Sequence, residues 1–137
     1  MKLKDLMVDV KSAWFEYPEC PGFEVEVNHL SRKELGKIRD RCVNKKIDRA
    51  TRQPVEELDS ERFVEILTKS TIKNWKGLKL KYVETLLPVE IKEGDEEVEL
   101  EFSTENAIDL VRGSSEFDTW VNEITFDLDS FRTRAIR

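Results

Sequence analysis

Two short runs of alternating residues open the periodic pattern of the chain. Ala13, Phe15 and Tyr17 are apolar at every second position, and Phe23, Val25 and Val27 repeat the alternation with Glu24 and Glu26 between them. A period of two marks a strand with one face on a core. Pro18, Pro21 and Gly22 lie between the runs and suit a turn. A first hairpin is therefore predicted, with Glu16, Glu24 and Glu26 on its polar face. Residues 1–11 carry no such period and read as a lead-in.

At Ser31 the period lengthens. Ser31-Arg32-Lys33-Glu34 is a capping box, with Leu30 and Leu35 placed as a hydrophobic staple. Leu35, Ile38 and Cys42 form a narrow apolar stripe that fades near Lys46, as in an amphipathic, largely exposed helix. Ile47 to Leu58 is polar, contains Pro54 and reads as a connection. Asp59 caps the next helix, in which Phe63, Ile66 and Leu67 continue one face as far as Trp75; Gly77 is placed to stop it. Leu78 to Val83 fits either a short helix or extended chain.

Pro88 to Ile91 and Val98 to Phe102 alternate on either side of Gly94-Asp95, which predicts a second hairpin with an acidic tip. Ser103 or Thr104 then caps a short helix that turns Ala107, Ile108 and Val111 inward and ends at Gly113. From Ser114 or Ser115 a last helix carries the cleanest seam in the chain: Phe117, Val121, Ile124, Leu128 and Phe131, with Trp120 beside it. That seam fits packing on the chain's own core, or docking of its outer part onto a partner.

The expected architecture is α+β: one domain over residues 1–137, two hairpins and three or four helices, the last helix closing the core. A chain of 137 residues buries roughly two-thirds of its unfolded surface, enough for one core. Trp75, Leu78, Phe117, Trp120, Val121 and Ile124 are the expected core residues. Trp75, Leu78 and Trp120 could equally line a groove for a partner, and Phe126, off the seam, is the better exposed contact.

Charge alters the picture. The formal net charge is −6, which disfavours general phosphate binding. Its distribution is uneven. Arg32 to Arg52 carries nine Lys/Arg against Glu34, Asp40 and Asp48, whereas Glu84 to Glu101 carries eight acids against Lys92. Either these are two solvated faces, or they are complementary surfaces on neighbouring subunits. In the second case Arg32, Lys33, Arg39, Arg41 and Lys45 would face Glu93, Asp95, Glu96 and Glu97 of another copy. Nucleic acid is a weaker expectation, because no helix-turn-helix accompanies the basic helix and no aromatics interleave its charges.

Candidate chemistry is sparse. His29 is the single histidine, lying between a strand and a helix, where a cap or turn role is expected. Cys20 and Cys42 are expected as free thiols, and with His29 they lack the paired spacing of a zinc site. The carboxylates of Glu93 to Glu101 fall on an expected exposed turn, where nothing would shift their pKa for acid catalysis. None of the five glycines sits in a phosphate-binding loop. The N-terminal residues do not read as a signal peptide, and no apolar run nears the roughly 20 residues of a membrane span. No enzyme activity, cofactor or membrane association is expected.

The order of several stretches carries a resemblance. Trp14-Phe15-Glu16-Tyr17-Pro18 leads to Gly22–Val27, then Leu30–Leu35, Asp48–Pro54 and Asp59–Phe63. Ile72-Lys73-Asn74-Trp75-Lys76-Gly77-Leu78 follows, then Phe102–Ala107 and Phe117–Val121. From about Trp14 to about Phe131 this succession resembles the tail assembly chaperones of long-tailed bacteriophages and prophages. The resemblance implies a non-catalytic protein of the host bacterial cytoplasm. Such a protein keeps the long tape measure protein soluble and helps tail tube subunits gather around it. Many phages also make a longer, frameshifted form. The family supplies no catalytic or cofactor residues to carry over. A structural tail or head-completion component is the alternative, and a nucleic-acid-binding regulator a more distant one.

Overall fold

The first alternating runs do pair. In the computed structural model, which describes residues 1–7 and 12–135 with side chains as far as Arg132, a short helix α1 (Leu3–Leu6) precedes strands β1 (Ser12–Glu16) and β2 (Glu24–Asn28). Part of the expected lead-in, residues 8–11, lies outside the described residues. The strands are antiparallel with Phe15 opposite Val25 and Ala13 opposite Val27. This register puts the apolar set on one face, where Phe15, Val25 and Val27 are buried.

The capping box forms as the sequence indicates. The Ser31 hydroxyl accepts from the Glu34 amide at 3.2 Å, and the Ser31 amide donates to the Glu34 carboxylate at 3.4 Å. They open α2 (Arg32–Arg41), which buries Ile38. The helix stops at Arg41, short of Lys46. The segment expected as a connection is instead a hairpin of β3 (Val43–Ile47) and β4 (Pro54–Leu58), a separate two-stranded sheet. No burial pattern announces it, because its strand residues are exposed except Val43 and Leu58 at its base.

Asp59 caps α3 (Ser60–Thr71) by accepting from the Arg62 amide. The helix expected to reach Trp75 ends at Thr71, and Ile72–Lys76 forms β5, the third strand of the first sheet, in the order β1-β2-β5. The cause of the misreading lies in the register. Val27 pairs with Ile72 and Glu26 with Asn74, so Lys73 is an extra residue. Such a bulge puts Ile72 and Trp75, three apart, on the same buried face. That spacing imitates a helix. The outer face holds Glu24 against Lys76 at 3.2 Å, with the Lys76 ammonium 4.7 Å over the Trp14 ring.

Beyond Gly77 come α4 (Leu80–Leu86), α5 (Thr104–Gly113), α6 (Ser115–Thr125) and α7 (Leu128–Ala135). Ser103 and Ser114 cap α5 and α6. The hairpin expected over 88–102 does not form. Residues 96–100 run beside 78–81 instead, with Leu100 N donating to Leu78 O at 2.7 Å and Leu80 N to Val98 O at 2.8 Å. Val89 and Val98, which the expected strands would have carried, are both exposed here. The observed path carries Phe102 to the core, where it meets Trp75 edge-on at 5.1 Å.

The long C-terminal helix is broken at Phe126-Asp127. Asp127 accepts from the Asp129 amide and the Ser130 hydroxyl and starts α7. The break returns Phe131 to the core, edge-on to Phe15 at 5.4 Å, and leaves Leu128 exposed. The seam therefore holds at Phe117, Val121 and Phe131, and fails at Leu128. Among the described residues the architecture is α+β, with four helices of ten to twelve residues and three shorter ones.

Gly77 shows how tightly the sheet end is closed. Its φ is +74°, and a Cβ there would overlap the Gly22 carbonyl. Gly77→Ala is expected to lower stability by roughly 3 kcal/mol in urea unfolding, from strain plus overlap. Gly36 in α2 has open space around it, so Gly36→Ala should instead gain about 0.5–1 kcal/mol. Equal effects at the two sites would contradict the packing described.

Candidate protein-interaction surfaces

The residues singled out from sequence divide into two groups. Trp75 and Leu78 are core: Trp75 is 4 % exposed and Leu78 0 %. The Trp75 indole donates to Leu100 O at 2.9 Å. Neither is available to a partner, which corrects their expected role as groove residues. Leaving a bulky aromatic in contact with water forfeits apolar burial, and here the fold recovers it internally.

Trp120 and Phe126 remain accessible. Trp120 packs edge-on to Tyr17 at 4.9 Å and lines a cleft of about 410 Å³ with Pro18, Cys20, Thr85 and Leu86. Glu19 and Glu116 stand at the same cleft. Three separate parts of the chain build it: the β1–β2 loop, α4 and α6. Glu19 has a φ of +68°, which a non-glycine residue adopts only when its surroundings hold it there. Burial, and secondarily the Glu116 carboxylate, raise the Tyr17 hydroxyl above its ordinary range. Burial also raises the Cys20 thiol, so little of it is thiolate. Phe126 lies at the end of α6, 39 % exposed, two residues from exposed Leu128.

The charged runs stay apart. Arg32, Lys33, Arg39, Arg41 and Lys45 are all exposed on α2 and β3. Among the described residues no ion pair joins them to 84–101. On the acidic side Glu93 and Glu96 are exposed, and Asp95 is half-buried. Glu96 accepts from the Gly94 amide. Glu97 is already engaged: Lys79 and Lys81 each approach it at 2.8 Å. This removes Glu97 from the acids free to meet another molecule. The sequence reading also missed Ile47, Pro54, Arg49 and Arg52, which the β3–β4 hairpin displays. The β-branched residues Val43, Ile47 and Val55 around Asp48–Arg52 were the available signal.

The remaining reactive groups serve the fold. His29 Nδ1 donates to Thr125 O at 2.9 Å and its ring lies against Phe131, which ties the end of α6 to the strand–helix junction. Cys20 and Cys42 are free and buried. Among the described residues no group of three His, Cys, Asp or Glu could hold a metal ion, and no helix is long and apolar enough to cross a membrane. Comparison with known proteins gives no match: no protein-family model, curated protein or solved structure matches this chain.

The Glu97 clamp sets a pH dependence. Hydrogen bonds from Lys79 and then Lys81 lower its carboxyl from an ordinary 4.5 to about 2. The folded value lies below the unfolded one, so its contribution is complete above about pH 4.5 and is lost as pH falls towards about 2. Carboxyl NMR of the folded protein should place the Glu97 midpoint well below the ordinary glutamate value of 4.5. Lys79→Met should move it upward; an unmoved midpoint would count against the clamp.

Proposed function

We propose that this protein is a non-catalytic tail assembly chaperone of the long-tailed phage type, acting in the host bacterial cytoplasm. It binds the tape measure protein and helps recruit tail tube subunits. One observation carries the reading beyond the order of motifs. Four of the stretches that resemble the family, Gly22–Val27, Ile72–Leu78, Phe102–Ala107 and Phe117–Val121, pack on one another. Trp75 meets Phe102 edge-on, Gly77 abuts Gly22, and Phe23 stacks on Phe117 at 6.2 Å. These parts of the resemblance thus fall on one connected framework, while Asp48–Pro54 lies on the exposed β3–β4 hairpin.

The accessible surfaces suit a helical client. Phe126 and Leu128 offer apolar contacts, and the cleft beside Trp120 can take a side chain of an amphipathic helix. A structural component of the tail or head is the second reading, favoured by the projecting β3–β4 hairpin, which would suit a fixed position in a particle.

Co-expression separates the two. Co-expressed with a tape measure protein of a long-tailed phage, this protein should hold that client soluble in a recoverable complex. An insoluble client and no complex would remove the chaperone reading. Phe126→Ser, at an exposed position, should leave the thermal midpoint nearly unchanged. It should weaken client binding roughly tenfold, as expected for an aromatic anchor. Unchanged capture would clear Phe126 of that role.

A further inference from the structure

We propose that the β3–β4 hairpin is a docking arm that seats on the acidic segment 84–101 of a second copy of this chain. The inference stands apart from the chaperone reading, since it concerns self-assembly and holds whatever the client is.

The arm spends apolar surface on water. Two-stranded hairpins alone are marginal, yet this one holds Ile47 at 74 % exposure, opposite Pro54 in the register. Asp48 builds its tip: its carboxylate accepts from the Ala50 amide at 2.9 Å, and its carbonyl accepts from the Arg52 amide at 2.7 Å. The ordered tip presents Arg49 and Arg52, both exposed and without an ion pair among the described residues. Strand addition along the arm is disfavoured, because Lys45, Lys46, Glu56 and Glu57 charge its edges.

The complement lies on the same chain. Residues 84–101 carry eight acids and one lysine, a net −7. Val89 and Val98 are exposed among them, at 40 % and 50 %. Glu90, Glu93 and Glu99 form no ion pair among the described residues; the segment's ion pairs there run from Glu97 to Lys79 and Lys81. The arm tip therefore sets Arg49 and Arg52 beside exposed Ile47 on a hairpin whose net charge is +1, and the segment sets its net −7 beside exposed Val89 and Val98. A second copy is the occupant because one chain supplies both halves of the match. The two patches are different surfaces, so the contact is head to tail and propagates into a ring or an open filament. Opposed charges at such a surface weaken as salt shortens the screening length from about 10 Å at 0.1 M to about 3 Å at 1 M.

Charge exchange tests the pairing. The arm variant is Arg49→Glu with Arg52→Glu. The segment variant is Glu84→Lys, Glu90→Lys, Glu93→Lys and Glu99→Lys, which takes the segment from a net −7 to +1. All six positions are exposed, and circular dichroism should show both variants folded. Light scattering should show wild type growing in mass with concentration at low salt and returning to monomer at 1 M. Each variant alone should stay monomeric at concentrations at least tenfold higher. Mixed, they should assemble again, because the reversed arm meets the reversed segment and the native arm meets the native one. A wild type that stays monomeric at low salt overturns the proposal. So does an arm variant that assembles like wild type, or a mixture that stays monomeric.

Discussion

A buried indole N–H has to find an acceptor, and the way Trp75 meets that demand organises this structure. Its partner is the Leu100 carbonyl, so residues 96–100 must lie beside 78–81 and cannot fold back on 88–91. Its ring sits between Phe23 and Phe102, at 6.4 and 5.1 Å and nearly perpendicular to both. To enter that space from an edge strand, β5 needs the extra residue at Lys73, and just past its end Gly77 must come hard against Gly22. Three unrelated features of the chain thus answer one side chain.

The same core uses up most of the large aromatics. Tyr17, Phe23, Phe117 and Trp120 contact one another, while Phe15 and Phe131 close the opposite end. A deletion such as Phe23→Ala at 0 % exposure belongs to the class that costs roughly 3–5 kcal/mol. Little apolar material is left for the surface, and what is left is localised. Met1, Leu3, Leu6 and Met7 lie on and around α1, Phe126 and Leu128 flank the α6–α7 break, Val89 and Val98 sit in the acidic segment, and Ile47 and Val55 sit on the arm. Scattered exposed apolar residues need no explanation. Ile47, like Leu3 and Leu6 on α1, stands on an element with almost no burial of its own, and in the arm that element is a paired hairpin with an ordered tip.

Local signals were legible where one element's own neighbours decide its form. The capping box at Ser31, the Asp59 cap and the β1–β2 alternation all read correctly, because caps and half-buried strands write their pattern within a few residues. The failures share a cause. Ile72 and Trp75 imitate a helical step because a bulge paired with β2 creates that spacing. The 88–102 alternation is real in sequence, but Trp75 and Leu78 recruit Leu100 away from it. The β3–β4 hairpin left no alternation because it buries almost nothing. The acid–base division was legible in full, and only the engagement of Glu97 by lysines at positions 79 and 81 needed coordinates.

Separation of charge is the remaining constraint. Opposite charges within one chain lower their energy by meeting when the fold permits it. Glu24 with Lys76 and Glu65 with Arg112 do so here. The largest opposite blocks, 32–52 and 84–101, do not. The basic one lies on α2 and on a hairpin that leaves the core, while the acidic one follows Trp75 and Leu78 along the body. The fold thus keeps the two blocks from pairing with each other within a molecule, although Glu97 and Lys46 find other partners, and leaves both surfaces presented. Self-repulsion within each block is the cost of that arrangement, and contact with an opposite surface on another molecule relieves it in both blocks at once.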